Sequence, residues 1–378
     1  MNMNGAVIQY PKNDLNDGVR KFVAALLEKK CIDAVLAPKR IPSGESFAYE
    51  LTRRSQDISG LCPLPPIVPI NGARSLKHLT HTGRFDLKIL CIMRPCEIRA
   101  SIELAKLKQV DLSTIIFLSM DCPGAMPTKD YIVDPQKCDA LFAQTMKTND
   151  PEGLRPACKT CQYFELTDVP ADLHIAHMGM PETTLMVIPG SETGAACLKA
   201  TGLDPSTDAS TWRMKIEEQR SMRQEHRKKA FTALADQTNG ISDLDAFFAD
   251  CINCHNCMRV CPICYCRQCF FDSSDTTRIE ADTYLNRADT KGGITFPADK
   301  LLFHIGRMSH MTLSCIGCGS CEDACAMDVP VSQLFIYLAD KTQQMFNYVA
   351  GRNSTETIPV LTYKENELHE YEDAREQS

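Results

Sequence analysis

The sequence predicts two folds in one chain: an α/β domain over residues 1–210, then a smaller α+β part built around cysteines. Three observations carry this reading. Runs of Ile, Val and Leu alternate with helix-period segments in the first half. The 378 residues include 20 cysteines, many of them two or three residues apart. The spacing C-x2-C-x2-C-x3-C occurs twice after residue 250.

The length allows two or three domains with a sizeable core. Hydrophobic residues make up 44% and charged residues 24%, the balance of a globular chain. The net charge is −7, with both signs mixed along the sequence, which argues against nucleic acid as a partner. The start, MNMNGAVIQYPKND, lacks a charged segment followed by an apolar run, and no stretch is apolar enough to span a membrane. A soluble, cytoplasmic protein is expected. There the cysteines are not disulfide partners, and a surplus of soft thiolates favours iron–sulfur clusters or zinc.

Taken in order, the α/β half reads as helix 18–30, strand 32–37, strand 87–93, helix 97–109 and strand 114–120. Residues 211–240 lack proline, are rich in helix formers and end at Asn239-Gly240, so they read as a linking helix. Its many charges predict a solvated helix, with a basic docking face as the alternative. Residues 241–350 hold both cysteine motifs; 351–378 form an acidic tail, whose end, 362–378, is expected to be poorly ordered.

The first motif is Cys251, Cys254, Cys257 and Cys261, followed by Pro262; the second is Cys315, Cys318, Cys321 and Cys325. A tight loop with a thiolate every third residue wraps three corners of a cubane, and in two-cluster ferredoxins the fourth Cys ligates the other cluster. The expected sets are therefore Cys251, Cys254, Cys257 and Cys325 for one [4Fe-4S] cluster, and Cys315, Cys318, Cys321 and Cys261 for the other. This makes the C-terminal part a ferredoxin-like α+β domain. Cys261 and Cys315 are 54 positions apart, so that domain carries a long insertion. Structural zinc is the alternative. The run CPICYCRQC adds Cys264, Cys266 and Cys269, readable as free thiols, replacement ligands or an extra site. After the second motif, Pro330 opens a helix whose Val331, Leu334, Phe335 and Leu338 share one face and pack on the cluster loops.

Two N-terminal strands also lead into cysteines. LKILCIM runs into Arg94-Pro95-Cys96, and STIIFLSM into Asp121-Cys122-Pro123-Gly124. A strand–helix–strand crossover makes these strands parallel and puts Cys96 and Cys122 at the same, C-terminal edge, where open α/β sheets keep their sites. Cys158 and Cys161 supply a further C-x2-C pair. Four thiolates suffice for a third [4Fe-4S] cluster; buried cysteines plus a zinc-like pair are the alternative.

Segments 94–106 (RPCEIRASIELAK), 121–124 (DCPG), 158–177 (CKTCQYFELTDVPADLHIAH) and 304–335 (HIGRMSHMTLSCIGCGSCEDACAMDVPVSQLF) resemble the beta subunits of coenzyme F420-reducing hydrogenase and F420-dependent formate dehydrogenase. The resemblance covers most of residues 20–350. It implies an oxidoreductase subunit whose α/β domain binds FAD, with Cys96, Cys122, Cys158 and Cys161 holding a cluster beside it. It further implies that the flavin exchanges a hydride with a soluble carrier, coenzyme F420 or NAD(P)H. Electrons then pass through three [4Fe-4S] clusters to or from a partner. That partner is the catalytic subunit of a formate dehydrogenase or hydrogenase, or a heterodisulfide-reductase-type subunit. A flavin-free iron–sulfur relay is the alternative function.

No GxGxxG fingerprint marks the flavin site. Asn71, Gly72 and Arg74, with Arg94, are the expected diphosphate contacts, since glycine admits close backbone approach and arginine pairs with phosphate. Residues 189–194 (PGSETG) are a second candidate loop. Cys31, Cys62, Cys91, Cys138 and Cys197 stay unassigned, with Cys138 the best substitute ligand. No catalytic nucleophile or acid–base pair stands out.

Overall fold

In the computed structural model, residues 4–10, 14–81, 83, 85–266, 269–272, 280–293 and 300–363 are described. Four strands run parallel at the centre of one sheet: β2 (Ala34–Arg40), β4 (Ile89–Ile92), β5 (Ile115–Met120) and β6 (Leu173–Ala176). Every residue of β4 and β6 is buried, as continuous apolar runs covered on both faces require. Antiparallel strands finish both sides: β3 (Phe47–Thr52) on one, and β7 (Thr184–Pro189), β1 (Asn4–Gln9) and the short β8 (Thr207–Asp208) on the other. The order is β3-β2-β4-β5-β6-β7-β1-β8. The α/β expectation holds, and β1, β3 and β7 extend it.

The helices that position the site follow the parallel strands. α1 (Leu15–Glu28) precedes β2, and α2 (Gly72–Thr80) precedes β4. α3 (Pro95–Lys106) crosses from β4 to β5 as the sequence predicts. It starts at Pro95, whose missing N–H costs nothing at a helix start. Buried Glu97 accepts from Arg94 N at 2.9 Å and from Gly72 N at 2.7 Å, so one carboxylate joins the N-termini of α2 and α3. After β5 come α4 (Thr128–Val133), α5 (Pro135–Thr148) and α6 (Pro156–Lys159), the last carrying Cys158; α7 (Glu192–Thr201) follows β7.

The C-terminal part departs from the expected α+β fold. After Asp208 no described residue lies in a strand. The elements are helices: α8 (Ser210–Gln237), α9 (Ile241–Phe247), α10 (Asn256–Arg259), α11 (Ala281–Lys291), α12 (Lys300–Met311), α13 (Ser320–Asp323) and α14 (Val331–Met345). Each cysteine loop turns through left-handed residues, Asn253 and His255 in the first and Gly317 and Gly319 in the second, and runs straight into a one-turn helix. Helix-borne Phe303, Leu334 and Phe335, with Phe248, fill the space around the loops that hairpin strands would otherwise occupy.

Helix α8 is not the solvated linker its charges suggest. Trp212, Ile216, Gln219, Arg223, Arg227 and Leu234 are buried along it. Its basic face turns inward: Arg220 pairs with Glu165 and Asp168, Arg223 donates to the carbonyls of Cys122 and Pro123, and Arg227 pairs with Asp340. Guanidinium groups can be buried here because fixed carbonyls and carboxylates meet them.

The segment from Ala350 to Ile358, ahead of the stretch expected to be poorly ordered, is docked on α3. Arg99 on α3 donates to Ala350 O and Ile316 O, Gly351 N donates to Glu103, and Ile358 is fully buried. Residues 364–378 lie outside the described residues. Ile263, Ile316, Tyr348 and Ile358 thus share a core with Ile98 and Ile102 of α3, which welds the cysteine part to the sheet. Among the described residues no helix is long and apolar enough to cross a membrane.

Candidate metal and cofactor centres

The fourth cysteine of each C-terminal motif lies with the first three of the other. One small cavity is lined by Cys251, Cys254, Cys257 and Cys325. A second is lined by Cys261, Cys315, Cys318 and Cys321. Val331 at the start of α14 faces the first cavity and Phe335 the second, so the apolar face expected on that helix closes both. The structure brings together the two sets that the spacing had paired.

The N-terminal thiols also gather. Cys96 follows β4 and Cys122 follows β5, at the same edge of the sheet, while Cys158 and Cys161 approach from α6 and the turn after it. Gly124, at φ +131°, lets the chain pass Cys158 so closely that a Cβ there would stand 2.9 Å from the Cys158 Cβ. Burial pushes the Cys96 thiol up, and the neighbouring charges of Glu97, Cys122, Cys318 and Cys161 push it further. Cys318 belongs to the second C-terminal set, so those two sets adjoin. At their junction Gly319 packs on Ala157 of α6, where a Cβ would come within 2.6 Å.

The donor sets suit metal clusters. Burial raises Cys158 to about 11, with Cys122 beside it adding to the shift, and raises Cys315 to about 12. Grouped, buried thiols that oppose one another's ionisation are the arrangement a bound cationic cluster relieves. N–H groups already point at sulfur: Arg94 Nη1 at Cys122 Sγ (3.1 Å), Ala125 N at Cys158 Sγ (3.3 Å), Asn253 N at Cys251 Sγ (3.4 Å) and Arg307 Nη1 at Cys257 Sγ (3.0 Å). Among the described residues no three His, Cys, Asp or Glu side chains are gathered tightly enough for a single metal ion.

The expected flavin contacts separate. A cavity of about 210 Å³ opens beside the C-terminal edge of the sheet, between β2, β3 and the starts of α2 and α3. Phe47, Ile67 and Val68 give it apolar walls, and Ser75, Arg94 and Glu97 give it polar groups, a lining that fits an aromatic ring system. Arg94 is the one expected contact on its wall. It is buried, donates to Gly124 O at 2.6 Å and to Pro65 O, and leaves Nε without a protein partner. Asn71 caps α2 by accepting from Ala73 N, and Gly72 gives its N–H to Glu97. Arg74 turns away and donates to Arg259 O in the first cysteine loop. The alternative loop, 189–194, follows antiparallel β7 and so lies at the opposite edge of the sheet. Gly190 and Gly194 there abut the carbonyls of Ala171 and Asp172.

The remaining cysteines stand apart from these sets. Cys138 is buried on α5, where burial and Asp130, Asp134 and Asp139 push it up. Cys197 is pushed up to about 11 by burial and by neighbouring Cys31. Cys264 hydrogen-bonds to Cys261 and holds it near 6, and its own sulfur lies 3.6 Å from Met311 Sδ. Cys269 meets Met258 Sδ at 3.7 Å, and Cys266 is exposed.

With this geometry in view, two relatives align over nearly the whole chain. The F420-dependent formate dehydrogenase subunit beta of Methanocaldococcus jannaschii is 27% identical over 89% of this chain and 91% of its own length. Subunit beta of F420-dependent formate dehydrogenase 1 of Methanococcus maripaludis is 26% identical over 93% and 94%. The chain is a homologue of F420-dependent formate dehydrogenase beta subunits. These homologues are oxidoreductase subunits, as the resemblance implied. A chain of the solved, xenon-derivatised F420-reducing [NiFe] hydrogenase complex of Methanosarcina barkeri aligns at TM-score 0.46 and 13% identity, over 64% of this chain and 94% of that one. No protein-family model matches.

The sequence reading missed two residues that face the sets in this homologue. His304 Nε2 lies 3.4 Å from Cys251 Sγ, and Arg307 reaches Cys257. Their i, i+3 spacing on the helix just before the second motif was the available signal.

Proposed function

We propose that this chain is the electron-transferring beta subunit of a formate dehydrogenase or hydrogenase complex. It would join a soluble hydride carrier, coenzyme F420 or NAD(P)H, to a catalytic or heterodisulfide-reductase-type partner through FAD and three [4Fe-4S] clusters. The observation that carries this is continuity. The cavity walled by Arg94 abuts the Cys96 set through the Arg94–Cys122 contact, Cys96 adjoins Cys318, and Arg307 stands between the two C-terminal sets. Bound there, FAD would supply two-electron hydride exchange and the clusters one-electron carriage.

The chain's own part is placement. Arg94 fixes the loop of Cys122 to the cavity wall, and α3 carries Cys96 from the same residue pair that begins it. Of the expected diphosphate contacts only Arg94 lines the cavity; Asn71 and Gly72 are engaged at the start of α2, and Arg74 is engaged with Arg259 O. The sheet, α6 and α8 hold the first set; α12 and α14 wall the other two against water.

Anaerobic protein tests the reading. It should contain about twelve iron atoms per chain, four per cubane, with matching acid-labile sulfide and one flavin. About eight irons would remove the N-terminal cluster. Twelve irons without flavin would leave the flavin-free relay, and zinc with little iron would end the iron–sulfur reading.

A further inference from the structure

The long insertion between the motifs supplies more than spacing. Its helix α12 brings His304 and Arg307, one turn apart and 1% and 2% exposed, against the cysteine sets. Arg307 Nη1 donates to Cys257 Sγ at 3.0 Å and Nη2 to Cys257 O at 3.2 Å. The same guanidinium lines the second cavity, and the groups nearest its charge are the thiols of Cys257, Cys321, Cys261 and Cys264. The Phe303 and Phe335 rings flank it at 5.5 and 4.7 Å. His304 is locked by a parallel stack on Phe248, with centroids 3.9 Å apart and planes 5° from parallel.

Resting on the reading that these sets hold [4Fe-4S] clusters, we infer that Arg307 and His304 are positioning residues that tune the relay. They raise the reduction potential of the Cys251, Cys254, Cys257 and Cys325 cluster. Reduction adds one electron and therefore one negative charge to a cluster. A fixed, buried positive charge and N–H···S hydrogen bonds stabilise the more negative form more strongly. Arginine stays charged throughout, so no proton moves with the electron. The first set receives both side chains. The second set faces Arg307 as well, with Arg99 acting on Cys315 and Arg155 on Cys318, and takes the Ser320 hydroxyl 3.4 Å from Cys318 Sγ, so the two side chains are distinguished by their direct contacts with Cys257 and Cys251.

Potentiometric titration of the full chain, followed by paramagnetic resonance, tests this. Cys254→Ser and Cys318→Ser each alter one signal and so assign the two. In Arg307→Met, at a fixed solution potential, the ratio of reduced to oxidised cluster in the Cys251 set should fall about tenfold, equivalent to about 59 mV for one electron. Arg307→Lys, which keeps the charge, should recover part of this. His304→Phe, which keeps the stack and removes the donor, should shift the same signal downward by less. Clusters present with unshifted potentials would overturn the inference. If Arg307→Met loses iron, Arg307→Lys and His304→Phe decide. Absence of cubane signals in the parent defeats the cluster reading itself, a separable result.

Discussion

Asp121 shows how much one side chain fixes here. It is fully buried, and its carboxylate meets His174 Nε2 at 2.7 Å, Trp212 Nε1 at 2.9 Å, His177 N at 2.8 Å and Met178 N at 2.9 Å. Burial alone would raise its pKa, but the hydrogen bond from His174 and the adjacent imidazoles hold it below the ordinary carboxylate value. The residue ties β5, β6 and α8 together one position before Cys122. Asp121→Asn puts an amide among donors and should cost about 3 kcal/mol in chemical denaturation near neutral pH. His177, whose Nε2 lies 2.9 Å from Asp121 O, adds a pH dependence. Burial holds its pKa below the ordinary 6.5, so between those values the unfolded chain binds the extra proton. Stability should therefore fall as pH drops below 6.5, and His177→Gln should flatten that slope; an unchanged slope would assign it elsewhere. At this scale the cysteines were legible because their chemistry survives as local spacing. The roles of Asp121 and Arg307, and the contact of Arg94 with Cys122, were not, because these partners come from 28 to 91 positions away.

Among the elements, the parallel strands and the α3 crossover were readable because a buried strand is a plain apolar run and its crossover a plain amphipathic one. β3 and β7 were harder to see, since antiparallel strands at a sheet's flank carry mixed polar and apolar faces or follow a loop without turn signals. The ferredoxin strands failed for a different reason. The motif specifies a loop geometry and says nothing of what packs behind it, and here helices do. Helix α8 misled because charge was read as exposure, whereas its arginines meet carbonyls and carboxylates of the same chain. The loop scale carries its own prediction. Because Cys325 lines the cavity of Cys251, Cys254 and Cys257, Cys325→Ala should perturb that cluster's resonance signal and spare the one held by its own motif. Loss confined to the Cys315, Cys318 and Cys321 signal would refute the exchange. In Cys261→Ala, an unchanged spectrum would show that Cys264, already hydrogen-bonded to Cys261, has taken its place.

Across the whole molecule, the three cysteine sets form a line rather than a group. Cys96 and Cys318 link the first set to the second, and Arg307 spans the second and third. The docked segment that carries Tyr348 and Ile358, together with α8, keeps this line rigid by binding the cysteine part to the sheet at several places. A line has a consequence a cluster of sites would lack: its middle members cannot be bypassed. Cys158 and Cys161 belong to the set that adjoins the Arg94 cavity through Cys122. Replacing both with alanine leaves the cavity walls intact, since none of them comes from α6. In a double variant that folds and retains flavin, the soluble carrier should still bleach the flavin absorbance at the parent rate in stopped-flow measurements. The absorbance of the two C-terminal clusters should then stay oxidised, because the remaining gap is too long for the electron to follow. Reduction of those clusters at the parent rate would show that electrons reach them by another route, and the N-terminal cysteines would then be structural.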